Sequence, residues 1–236
     1  MLRADVLQLG GTAMKSFIVV AWLMVSAGLL AQDAVRILPD NYRVEFENEC
    51  VRVTRVHYGP HAKLPGHSHT SLASAYVYLN DSGPVAFKHV GAAYGAVTRK
   101  PTKARSYRLY RGIDEIHEVE NLSSLPSDFL RVEFKTDPVD PPSLRGVFPS
   151  PVPPGTPSEL VEFENAQLRV SRLVAPPGQS IVVAPSDRPS LIVSLSVGDG
   201  GKVMWLDKGQ SHTVSQPADA AVEALRFLLR TELLSR

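Results

Sequence analysis

Two histidines one residue apart, His67-Ser68-His69, carry the strongest chemical signal in the sequence. On a strand, residues i and i+2 share a face, so both imidazoles would point to one side of a sheet. A third histidine, His117, lies in GIDEIHEVEN, residues 112–121, which reads as another short strand. Three neutral imidazoles converging inside a β-structure can hold a divalent transition metal such as Fe, Zn, Mn, Cu or Ni. Positions on the metal then stay open to water and substrate. The residues do not choose among these metals.

Other candidate groups are weaker. A basic segment, Arg99, Lys100, Lys103, Arg105, Arg108 and Arg111, precedes the third histidine, and a charge run of this kind is expected to be a solvated face. If one member turns inward, a guanidinium fork suits a substrate carboxylate, and Arg108 is the member best placed in sequence to bind it. His61 falls in a turn and is expected to be solvated, while His57 and His89 sit in strand-like segments with no partner in view. The single cysteine, Cys50, excludes an intrachain disulfide framework and reads as a buried or half-buried strand residue. No GxSxG, no phosphate-cradling glycine loop, no Cys/His nucleophile pair and no obvious general base accompany these groups.

The elements that must position the histidines are short strands. Blocks such as Val51-Arg52-Val53, Tyr76-Val77-Tyr78-Leu79 and Leu130-Arg131-Val132-Glu133-Phe134 alternate or run apolar with β-branched enrichment. Turn signals such as Gly59-Pro60 and Asn80-Asp81-Ser82-Gly83 separate them, which indicates a sandwich or barrel. Residues 220–234 could be helical by periodicity, but RFLL at 226–229 fits a closing strand better.

The strands repeat. Residues 44–60 read VEFENECVRVTRVHYGP, and 117 positions later residues 161–177 read VEFENAQLRVSRLVAPP, with nine of seventeen positions identical. The chain is therefore two copies of one unit. One copy occupies 40–136 and the other 159–236; between them, 137–158 is proline-rich, poor in backbone donors and expected to be an extended, semi-rigid linker. In the second copy Ala184 and Ser186 stand where the first has His67 and His69, and only His212, followed by Gln216, echoes the second motif. One imidazole cannot hold a catalytic metal, so His212 is expected to be a hydrogen-bonded interior residue and the second copy a scaffold.

The HxH pair and the Gly112…His117…Asn121 arrangement together resemble the cupin superfamily, with the glycine-to-histidine gap longer by two. The phrase NECVRVTRVHYGPHAKLPGHSHT is similar to small cupins related to the β-alanine-degradation protein. The resemblance covers residues 42–135 well and 160–233 more loosely. It implies an all-β fold of two cupin barrels of the jelly-roll, double-stranded β-helix type, joined by the proline-rich linker, with metal ligands carried onto His67, His69 and His117. The family usually adds a glutamate four or five residues after the second histidine, where this chain has Ala73 and Ser74. A neutral three-histidine site, as in cupin thiol dioxygenases, would keep the full charge of the metal; the alternative is a decayed site that survives as a structural relic.

Composition bounds the rest. A net charge of +1 leaves no electrostatic footprint for nucleic acid. Residues 14–33, MKSFIVVAWLMVSAGLLAQD, carry a lysine, an apolar run too short to span a bilayer comfortably, and Ala31 as a small residue at a cleavage point. Residues 1–31 thus read as a signal-peptide region with translation starting at Met14, and the remainder as periplasmic or secreted, with no membrane role after cleavage. Three functions fit: a metal-dependent enzyme, of oxygenase or isomerase type, on a small carboxylate-bearing molecule; a non-catalytic cupin that binds a small ligand or sugar; or a structural module in which barrels pair, within the chain or as a homodimer.

Overall fold

The computed structural model describes residues 33–90, 95–136, 144–149, 155–196, 198, 200–217 and 219–232. The leader at 1–31, with its start at Met14, lies outside the described residues, as do 137–143 and 150–154 of the proline-rich segment. Apart from one helical turn, α1 (Ala34–Ile37), the described elements are strands.

The first repeat gives β1 (Tyr42–Glu47), β2 (Val51–Tyr58), β3 (Lys63–His69), β4 (Ser74–Tyr78), β5 (Val85–His89), β6 (Ala96–Arg99), β7 (Tyr107–Tyr110), β8 (Glu115–Asn121) and β9 (Ser127–Phe134). Then come β10 (Gly146–Phe148) and the second repeat, β11 (Ser158–Glu164), β12 (Leu168–Ala175), β13 (Ile181–Val183), β14 (Ser190–Ser194), β15 (Val203–Leu206), β16 (His212–Val214) and β17 (Val222–Leu229). All pairings between these strands are antiparallel. The first repeat forms a six-stranded sheet, β1-β2-β9-β4-β7-β10, whose edge strand β10 comes from the proline-rich segment, and a four-stranded sheet, β3-β8-β5-β6. The second forms β11-β12-β17-β14-β15 and the small pair β13-β16. RFLL at 226–229 lies within β17, between β12 and β14, so it is a strand and not a helix.

The sequence repeat is also a repeat of backbone detail. β1 carries a bulge between Val44 and Phe46, and β11 carries one between Val161 and Phe163, 117 positions on. After each bulge an asparagine side chain closes the turn: Asn48 Oδ1 accepts from the Cys50 and Val51 amides, and Asn165 Oδ1 from those of Gln167 and Leu168. The turn after β2 holds His61 at φ 54°, and the matching turn holds Gly178 at φ 75°. His61 is exposed there, as expected of a turn histidine, whereas Cys50 is half-buried in the asparagine turn and not on a strand.

Strand alternation sorts these residues between two environments. On β2, β4 and β9, one face (Val51, Val53, Ala75, Val77, Leu130, Val132, Phe134) packs against Leu168, Val170, Leu191, Val193, Leu225 and Phe227 of the second repeat. This is the largest apolar cluster, and it joins the two copies. Fully buried Arg172 lies beside it, its guanidinium paired with Glu162 at 2.8 Å and Glu223 at 2.8 Å and donating to the Arg105 carbonyl. The opposite face of the same strands looks into the first repeat, where Tyr42, Val56, Tyr58, Tyr78, Val85, Val119 and Phe129 form a separate cluster between the two sheets. The LRVEF block of β9 therefore turns its apolar residues toward the other copy and its charged Arg131 and Glu133 inward.

Candidate metal centre

The four-stranded sheet sets up the site. In β3 the pairing with β8 slips between Leu64 and His67. Since side chains alternate, Leu64 and His67 would face opposite ways in a regular strand; the bulge at Pro65-Gly66 turns both inward, and His69 with them. Proline is tolerated at such a break because no ladder bond is demanded of it. Its carbonyl has a second use: His67 Nδ1–H donates to it at 2.8 Å, which fixes the tautomer and leaves Nε2 as the lone-pair atom. Tyr42 Oη lies 2.8 Å from that Nε2 and is itself 2.9 Å from Tyr58 Oη, so Tyr42 donates to the histidine and accepts from Tyr58.

Cross-strand register then forms two rows. His67 lies opposite His117, and His117 opposite His89, so three imidazoles run across β3, β8 and β5. In the next row His69 lies opposite Glu115. Ring centroids of His67, His69 and His117 are 4.8, 4.9 and 5.0 Å apart, and one nitrogen of each lies within 4.8 Å of the others. A second group within the same limit comprises His89, Glu115 and His117.

Burial keeps His67 and His69 neutral. Burial, only partly opposed by the Pro65 hydrogen bond, lowers the pKa of His67 to about 4. His69 is held well below its ordinary value by burial and then by the Arg131 charge. Both ring nitrogens of His117 are buried without a hydrogen-bond partner; its Nδ1 comes no closer than 3.5 Å to Glu115. An orphaned buried imidazole is costly unless something coordinates it. The donor set, neutral imidazoles with a carboxylate at hand, fits a borderline divalent ion. His67, His69 and His117 would hold it and leave positions open for water or substrate.

Two expectations need correction, and one neighbour is new. A carboxylate, Glu115, two residues before His117 on the same face of β8, lies beside the three-histidine group without belonging to it. Burial alone would raise its pKa, but His117, Arg131 and His89 outweigh burial and hold it below the ordinary carboxylate value. His89, which had no partner in the sequence, lies in the histidine row, with Nε2 3.2 Å from Glu115. An alternation argument within 85–89 and 115–121 reaches both residues only once the β5–β8 register is known. The basic segment is not a uniformly solvated face either. Arg99 stacks over Tyr78 and donates to Ser127, and Arg108 stacks 4.5 Å over Tyr76.

Arg108, Tyr76 and buried Arg131 form a row across β7, β4 and β9, so an arginine wall faces the histidine wall. Between them lies a cavity of about 340 Å³, whose aromatic lining includes Tyr42, Tyr58, Tyr76, Phe87, Tyr110 and Phe129. Arg108, His69, Glu115 and His117 border it, and the Arg108 Nε is buried without a hydrogen-bond partner.

Gly112 and Asn121 act by holding the frame. Gly112 has φ 75°, and a Cβ there would lie 2.3 Å from the Leu72 carbonyl oxygen. Asn121 donates to the carbonyls of Gly59 at 2.8 Å and Leu125 at 2.9 Å. In the second repeat His212 is half-buried at the start of β16 beside another cavity, with Gln216 also lining it, and is not fully interior.

The arrangement defines a class: an antiparallel all-β protein with an internal duplication and a histidine-rich candidate metal site in one copy. No protein-family model matches the sequence, and no curated protein does. Solved structures overlap with it more loosely. The protein YhaK from Escherichia coli is 14% identical over 80% of this chain and 91% of its own, with a TM-score of 0.46. Oxalate decarboxylase from Bacillus subtilis is 12% identical over 84% of this chain and 72% of its own, at 0.48. A cupin domain from Bordetella pertussis is 26% identical over 40% of this chain and 91% of its own, at 0.34. At TM-scores below 0.5 these overlaps say nothing about chemistry.

Proposed function

We propose that the chain is an exported cupin-type protein of two barrels joined by the proline-rich segment. Its first barrel binds a divalent transition metal through His67, His69 and His117 and acts on a small carboxylate-bearing molecule by oxygenase or isomerase chemistry. The observation that carries this reading is the convergence of the three imidazoles inside the first repeat, with both nitrogens of His117 buried and without a hydrogen bond. The metal, when bound, supplies Lewis-acid polarisation or oxygen activation. The remaining tasks fall to the chain's own residues. Arg108 offers a guanidinium fork to the carboxylate from across the cavity. The tyrosine and phenylalanine lining excludes water, and the Pro65 carbonyl keeps the His67 proton on Nδ1.

Metal analysis of the purified protein tests this. Metal should be stoichiometric and should fall sharply in His67→Ala. Sub-stoichiometric metal that does not rise on reconstitution and ignores His67→Ala refutes the reading. The aromatic lining of the cavity favours one alternative, a non-catalytic site for a small ligand or sugar. A ligand that raises the melting temperature equally with and without metal would select it. The export leader predicts that fractionation of cells finds the chain in the periplasm or medium, shortened after Ala31.

A further inference from the structure

We infer that His89, Glu115 and His117 form a second divalent-cation position, back to back with the three-histidine one, with the His117 ring bridging the two. The bridge rests on the proposed first position; the second position does not. Two of its three edges already have coordination dimensions. His89 Nε2 lies 3.2 Å from Glu115 Oε2, and Glu115 Oε2 lies 3.5 Å from His117 Nδ1. Donors about 2.1 Å from a tetrahedral ion lie about 3.4 Å apart.

Three further features agree. His89 Nδ1 lies 2.9 Å from the Gly95 carbonyl and donates to it, so Nε2 is the atom turned toward the carboxylate. A cation between Nε2 and the carboxylate can take the place of the proton that His89 would otherwise have to hold there. His117 has two buried nitrogens without hydrogen bonds, and a single ion at the first position would coordinate only one. The second triad is two imidazoles and a carboxylate, a donor set suited to Zn(II), Co(II) or Cu(II). When His117 serves both ions its remaining N–H bond breaks and the proton leaves to solvent. The ring then offers one lone pair to each cation, with no change of oxidation state.

Co(II) titration of the chelator-stripped protein, read by d–d absorption and by metal analysis after gel filtration, tests the inference. Wild type should bind two equivalents. Glu115→Gln and His89→Ala should each bind one, and so should a variant with His67→Ala and His69→Ala. Glu115→Gln keeps the side-chain shape, and circular dichroism checks the fold of each variant. Cu(II)-loaded wild type should give the electron paramagnetic resonance signature of a coupled pair, and Glu115→Gln that of isolated ions. One equivalent in wild type, retained by both Glu115→Gln and His89→Ala, overturns the second position and leaves the three-histidine site standing. One equivalent lost in Glu115→Gln but kept without His67 and His69 upholds this position, overturning the bridge and the first site. No binding overturns both.

Discussion

His67 makes the metal-free protein acid-sensitive, by an amount that follows from its surroundings. Its side chain has no exposed surface, donates from Nδ1 to the Pro65 carbonyl, and accepts at Nε2 from Tyr42. The neutral ring is thus the form the fold specifies, and its pKa falls from the ordinary 6.5 to about 4. Between those values the unfolded chain holds a proton that the folded chain does not. Stability is therefore complete above the unfolded value and is lost as pH falls toward the folded one. At about 1.36 kcal/mol per pH unit the full loss is about 3 kcal/mol, with about 2 kcal/mol gone by pH 5. His69, lowered for the same reason, adds in the same direction. Urea unfolding of chelator-treated protein between pH 7.5 and 4.5, with His67→Gln as the reference, measures it. Gln does not titrate and can still accept from Tyr42, so its stability should fall less over that range. Identical pH dependence in the two proteins would refute the assignment of a buried neutral imidazole.

Other outcomes follow from the same geometry. Phe227→Ala, in the cluster shared by the two repeats, should cost about 3–5 kcal/mol and leave one cooperative unfolding transition; two resolved transitions would show that the copies fold separately. Gly112→Ala forces a side chain onto the Leu72 carbonyl at positive φ and should lower both the melting temperature and the metal occupancy. Arg108→Met should leave metal stoichiometry unchanged and abolish the thermal shift produced by small carboxylates, read by scanning fluorimetry. Filling the three-histidine position at about 100 times its dissociation constant should stabilise wild type by about 2.7 kcal/mol, an increment that His69→Ala should lose.

The duplication, the strand class and the paired histidines were legible in the sequence because each is a local property. Nine identities at a fixed offset, turn residues between alternating runs, and two imidazoles at i and i+2 need no knowledge of partners. The alternation in LRVEF was equally legible, but which face was the interior was not. Leu130, Val132 and Phe134 pack on the second repeat while Arg131 and Glu133 border cavities of the first, since the larger apolar cluster lies between the copies. Glu115 and His89 escaped for a related reason. Cross-strand register joins positions 26 residues apart, and no periodicity within either strand reports that offset. Even the inward aim of His67 and His69 depends on the Pro65-Gly66 bulge, because a one-residue slip in a strand exchanges its faces. Sequence alone determined that imidazoles would share a side; only the tertiary pairing decided which side, and which carboxylate they would meet there.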